Sequence, residues 1–191
     1  HDFASMNLQA PSLQFGSRLR AAVVHLLLSL AVAAVAALLV FAVWYPMPYR
    51  QISGGRDLFL LVVAVDVAIG PLITLAVFDR RKPRAELVRD MAVVAALQLA
   101  ALGYGLFTVA QARPAVVALE VDRLRVVRAI DLAGADFSGA PPALARLSWT
   151  GPQLLATRRP DASEKLDAID RGLAGEDVGM RPKFWLPPEQ T

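Results

Sequence analysis

Apolar residues along this chain fall into three long blocks, Ala21–Trp44, Leu58–Phe78 and Met91–Gln111, parted by segments that carry charge, proline and glycine. A membrane-spanning helix needs about 20 mostly apolar residues, and each block meets that length. Three such helices in a soluble chain of this size would leave too little protein to cover them. The pattern therefore predicts transmembrane helices over 21–44, 58–78 and 91–111, forming a membrane domain 21–112. Residues 1–20 precede it as a cytoplasmic segment, with His1–Ser5 read as a non-native remnant ahead of Met6. The first block exceeds the h-region of a cleaved signal, about 7–15 residues. It ends in Phe41, Trp44 and Tyr45, which suit a membrane–water boundary, so it reads as an uncleaved anchor.

From Arg113-Pro114, where proline ends the third helix, the pattern changes. Ala115–Val121 and Leu124–Val127 are β-favouring, as one strand or as a hairpin across Asp122-Arg123. Ala133–Pro142 reads as a loop, and Leu147–Trp149 and Gln153–Thr157 as two short strands about Thr150-Gly151-Pro152. Asp161 with Glu164 resembles a capping box, Leu166, Ile169 and Leu173 share one helical face, and Gly175 follows the end. Arg181–Thr191 reads as extended, with Phe184, Trp185 and Leu186 as an apolar clip for its own domain or for a partner. The predicted class is an α-helical membrane protein of three spans with a small C-terminal α+β domain, 113–191.

Charge adds an orientation. The segment Asp79–Asp90 carries Arg80, Arg81, Lys82, Arg84 and Arg89, whereas the connection Tyr45–Asp57 carries only Arg50 and Arg56. The positive-inside rule then places the N-terminus and the second connection in the cytoplasm and the C-terminal domain in the periplasm. That domain holds eleven basic and eleven acidic residues, so the pI of 9.7 reflects bases beside the membrane. Those bases fit anionic lipid headgroups, and no basic stripe points to nucleic acid.

The chemical inventory is small. There is no cysteine and there are two histidines, His1 and His25, which leaves no thiol chemistry, no nucleophile–histidine–acid set outside the membrane and no zinc-type ligand group. Neither catalysis nor a cofactor is expected.

The polar residues within the spans are the candidate site. At a rise of about 1.5 Å per residue, Asp66 and Tyr104 lie about 18 and 20 Å from the cytoplasmic ends of their helices, while His25, Ser29, Thr74 and Gln98 lie about 6–12 Å from that side. Gly70-Pro71 interrupts the second span, and Pro71 bends it and frees a carbonyl. Three roles are open for Asp66: an interhelical tie to Tyr104, a contact for a polar group on a client helix, and proton or ion conduction.

The residues Tyr45-Pro46, Ser53-Gly54-Gly55, Asp57-Leu58, Val65-Asp66-Val67, Gly70-Pro71-Leu72 and Thr74 occur in an order similar to that of the type IV pilin accessory proteins of the TfpX/TfpZ kind. The similarity continues through Asp90, Gln98-Leu99-Ala100, Tyr104-Gly105, Ala112-Arg113-Pro114, Glu120-Val121-Asp122-Arg123 and Thr150-Gly151-Pro152. Met47 and Arg50 depart from the apolar or aromatic character expected in the first loop. This resemblance implies a non-enzymatic chaperone or modulator in the bacterial inner membrane that binds pilin, by its transmembrane helix or its head, before or during pilus assembly. The resemblance assigns no functional residues of its own; from the spans, Asp66, Tyr104, Gly70, Pro71, Thr74, Gln98 and His25 are the candidate client or interhelical contacts, and Phe184 and Trp185 the candidate periplasmic contacts. Competing classes are a membrane-anchored sensor or immunity-type binding protein and a small proton-coupled transport subunit.

Overall fold

The computed structural model describes residues 11–190 apart from Asp122; the expectation for His1–Ser5, and the Asp122 part of the expected β connection, lie outside these residues. Helix α1 (Pro11–Leu38) runs on as a π-helical stretch, Leu39–Trp44. A short α2 (Tyr49–Ile52) leads to α3 (Gly55–Val77) and α4 (Arg84–Gln111). The long helices cover the three apolar blocks, and their ends follow local chemistry. Pro46 and Pro48 stop α1, and Pro83 precedes α4, its carbonyl accepting the amides of Glu86 and Leu87. Glu86 in the first turn of α4 suits the positive end of the helix dipole.

Three helices, Phe15–Trp44, Gly55–Val77 and Arg84–Gln111, are long and apolar enough to cross a membrane. Only 17%, 22% and 17% of their most apolar windows are buried within the protein. Leu27, Leu28, Leu61 and Leu97 are each more than 60% exposed. Such a surface far exceeds the patches that soluble monomers present to water, whereas hydrocarbon solvates it while the helices satisfy their own backbone.

The chain forms two compact units. The first ends at Ala36 and resumes over Leu60–Gly105. Its helices are fastened at one end by Arg18 Nη2 on Asp79 Oδ2 at 3.1 Å, and Lys82 of the α3–α4 connection holds Asp90 at 2.6 Å. Gly105 on α4 lies where any Cβ would strike Val62 of α3, so glycine permits the close approach.

The second unit comprises Ala37–Phe59 with Leu106–Thr191. Its mixed sheet has the order β2-β1-β3-β4, from β1 (Pro114–Leu119), β2 (Leu124–Arg128), β3 (Gln153–Thr157) and β4 (Trp185–Leu186). β1 and β2 pair antiparallel, Val117 opposite Val126 and Leu119 opposite Leu124, which resolves the open alternative as a hairpin. β1 and β3 pair parallel, and β4 closes antiparallel on β3. One sheet face carries Val116, Ala118, Val127 and Leu155 into a core with Leu132, Leu144 and Trp185.

One expectation changes. Leu147–Trp149 is not a strand: the Ser148 hydroxyl accepts the Thr150 amide at 3.0 Å, Gly151 adopts φ +85°, and β3 finds its partner in β1 rather than across that turn. Helix α5 (Lys165–Leu173) begins four residues after Asp161, whose carboxylate accepts the amides of Ser163 and Glu164 while Glu164 accepts that of Asp161. The Arg158 guanidinium beside Glu164 holds its carboxyl down at about 2. The shared face of α5 points outward, with Leu166 81% and Leu173 85% exposed.

Candidate functional site

In the first unit, four polar side chains from three helices meet in one hydrogen-bonded network. His25 and Ser29 come from adjacent turns of α1, Thr74 from α3 and Gln98 from α4. His25 Nδ1 lies 2.5 Å from Thr74 Oγ1 and its Nε2 2.6 Å from Gln98 Oε1. Gln98 Nε2 donates to Ser29 Oγ at 2.8 Å and to the backbone carbonyl of Asp66 at 3.2 Å. The carbonyl can only accept, so it fixes which way the Gln98 amide faces. Gln98 Oε1 must then accept from His25, which places a proton on His25 Nε2. The expected layer of His25, Ser29, Thr74 and Gln98 is thus a single connected cluster, in which Thr74 is 2% and Ser29 8% exposed.

The Gly70-Pro71 pair makes room for this cluster. A Cβ at Gly70 would fall on the Gln98 carboxamide, so glycine lets that amide lie against the α3 backbone. Pro71 stands inside α3 and lacks the N–H that would bond Val67. The carbonyl taken by Gln98 is that of Asp66, one residue earlier in the same weakened turn.

Asp66 presents its side chain differently from its backbone. Oδ2 is buried and has no hydrogen-bond partner among the described residues. Asp66 also lines a cavity of about 190 Å³ together with His25, Leu28, Ser29, Val63, Gln98 and Leu102, and the remaining lining residues are apolar. Tyr104 is 74% exposed, so the buried oxygen does not find its partner in the tyrosine expected at that depth. An acceptor kept from water and unpaired costs about 1–3 kcal/mol, more if charged, and a donor brought within reach of Oδ2 would recover it.

The second unit holds a cluster that sequence reasoning did not assemble. Tyr45 is fully buried, and its hydroxyl donates to the Val109 carbonyl at 2.9 Å. Burial pushes that hydroxyl up to about 12, so it remains a donor at neutral pH. Ala110 O receives the Arg113 amide and Arg113 Nη1. Both carbonyls belong to the last turn of α4, which lacks intrahelical partners. The Arg113 guanidinium stacks 3.9 Å from the Trp149 ring centroid, and Trp149 lies 6.5 Å from Trp44. Gly55 leaves space for the Tyr45 ring. The signal was present as Tyr45, Gly55 and Arg113, but their spacing carries no local periodicity.

Phe184 and Trp185 are buried, at 0% and 2% exposure. The Trp185 indole donates to Gly179 O at 2.9 Å, and Phe137 packs edge-on at 5.6 Å. Of the two alternatives for this clip, the structure shows packing within its own unit. No group of three or more metal-ligating side chains occurs among the described residues.

Comparison with known proteins gives a consistent set of relatives. The family described as fimbrial assembly protein FimB matches residues 13–54. A fimbrial assembly protein of serogroup I from Dichelobacter nodosus is 36% identical over 85% of this chain and 64% of its own length. The serogroup E1 protein of the same organism is 34% identical over the same shares. The protein of serogroups C1 and C2 is 40% identical over 57% of this chain and 83% of its own length. The chain thus spans 64% of the length of the first two relatives. No solved structure matches.

Proposed function

This chain belongs to the fimbrial assembly protein family, and on that premise we propose that it is a pilin accessory protein of the TfpX/TfpZ kind, which receives the membrane helix of a pilin at the Asp66 cavity. It resides in the inner membrane with the cationic α3–α4 connection in the cytoplasm and the C-terminal unit in the periplasm. Its role is that of a non-catalytic chaperone or modulator that holds the pilin subunit before or during pilus assembly.

The observation that carries this reading is the unpaired Asp66 Oδ2 beside a network whose side chains are bonded to one another. A polar group on a single apolar helix has no water to turn to in the bilayer. A cavity with one unsatisfied acceptor offers it a partner, and the apolar walls fit the rest of the helix. In this reading Gln98, Gly70, Pro71, Thr74 and His25 shape the cavity, and Asp66 contacts the client.

Asp66→Ala and Asp66→Asn are expected to reduce pilin recovered with the protein from solubilised membranes by about tenfold to a hundredfold, since loss of a bond to a charged group costs about 1.5–3 kcal/mol. Accessory protein levels should stay unchanged. Undiminished pilin recovery with normal surface pili would refute the role of this cavity.

A further inference from the structure

A second cleft of about 630 Å³ opens in the first unit, within the range of about 300–1,000 Å³ typical of sites for small ligands. Its walls are apolar, formed by Val24 and Leu28 of α1, Phe78 after α3, and Met91 and Val94 of α4. Arg20 and Arg80 line it where α1 begins its apolar run and α3 has ended. Neither has an ion-pair or hydrogen-bond partner among the described residues.

The acids nearby are already engaged. Asp79 pairs with Arg18 at 3.1 Å, and Lys82 holds Asp90 at 2.6 Å and Glu86 at 3.8 Å. Among the described residues, no carboxylate lines the cleft. The result is an apolar slot between membrane helices with two uncompensated guanidiniums at its polar end. Guanidinium forks match phosphate oxygens, while the slot lies along segments that face hydrocarbon. A free anion would use the arginines and leave the slot unfilled, and an uncharged lipid would use only the slot.

We infer that this cleft is a binding site for one anionic phospholipid, its phosphate on Arg20 and Arg80 and an acyl chain along Val24, Leu28 and Met91. His25 and Thr74 close the inner end, about 7.5 Å along α1 from Arg20. Because His25 also lines the Asp66 cavity, an occupied cleft abuts the cluster that shapes that cavity. The inference does not depend on the identity of any protein client.

The test is native mass spectrometry of the full chain in neutral detergent with equimolar phosphatidylglycerol and phosphatidylcholine. The wild type is expected to retain one phosphatidylglycerol in preference to phosphatidylcholine. In Arg20→Gln/Arg80→Gln that preference should fall by about thirtyfold, roughly fivefold per arginine. Arg50→Gln/Arg56→Gln, which removes equal charge from the α1–α3 connection, should leave it unchanged. Val24→Trp, with both arginines present, should displace the lipid by filling the slot. Equal retention of the two lipids by the wild type, complete displacement by millimolar inorganic phosphate, or an equal loss in the Arg50/Arg56 variant would each overturn the assignment.

Discussion

Truncating Tyr45 to alanine is expected to lower the unfolding free energy of the detergent-solubilised chain by about 3–5 kcal/mol, the usual effect of removing a large buried aromatic side chain. The ring is fully buried against Gly55, and its hydroxyl serves the carbonyl of Val109 in the last turn of α4. Tyr45→Phe keeps the ring and loses only that bond, so a loss of about 1 kcal/mol is expected. Chemical denaturation followed by tryptophan fluorescence reads both, because Trp44 and Trp149 lie in the same cluster. Equal losses in the two variants would mean that the hydroxyl, rather than ring packing, dominates.

The same cluster shows what could be read along the chain and what could not. The three spans were legible because hydrophobic length is a one-dimensional property. Val-rich β1 and β2 were legible too, as was the Asp161–Glu164 start signal of α5. Pairing was not. β1 joins β3 in parallel across β2 and the long connection that follows it, and nothing local in Gln153–Thr157 distinguishes that from a hairpin with Leu147–Trp149. Likewise, helical rise brought His25, Ser29, Thr74 and Gln98 to one level, but rotation about each helix axis decides contact. Rotation joined Gln98 to the Asp66 backbone and left Tyr104 74% exposed at the level of Asp66.

Replacing Gln98 by leucine should be the most damaging single change in the polar network. It removes the acceptor for His25 and the donor to both Ser29 and Asp66 O. Interhelical bonds of this kind average about 0.6 kcal/mol and reach about 1.7, so a loss of about 2 kcal/mol is expected. Gly70→Val should approach that loss by another route, since its side chain would occupy the space of the Gln98 amide. In a double-mutant cycle, His25→Ala and Gln98→Ala should couple by about 0.6–1.7 kcal/mol. Strict additivity would show that the His25–Gln98 bond contributes nothing to the packing of α1 on α4.

The central claim is that the cavity around Asp66 receives the membrane helix of a pilin. Photocrosslinking in native membranes of a piliated cell addresses it most directly. A photoreactive residue at Val63 or Leu102, both on the cavity wall, is expected to yield an adduct with the pilin subunit. The same residue at Val88, which is 67% exposed away from the cavity, should not. Absence of a pilin adduct from both cavity positions, or equal adduct from Val88, would contradict the account.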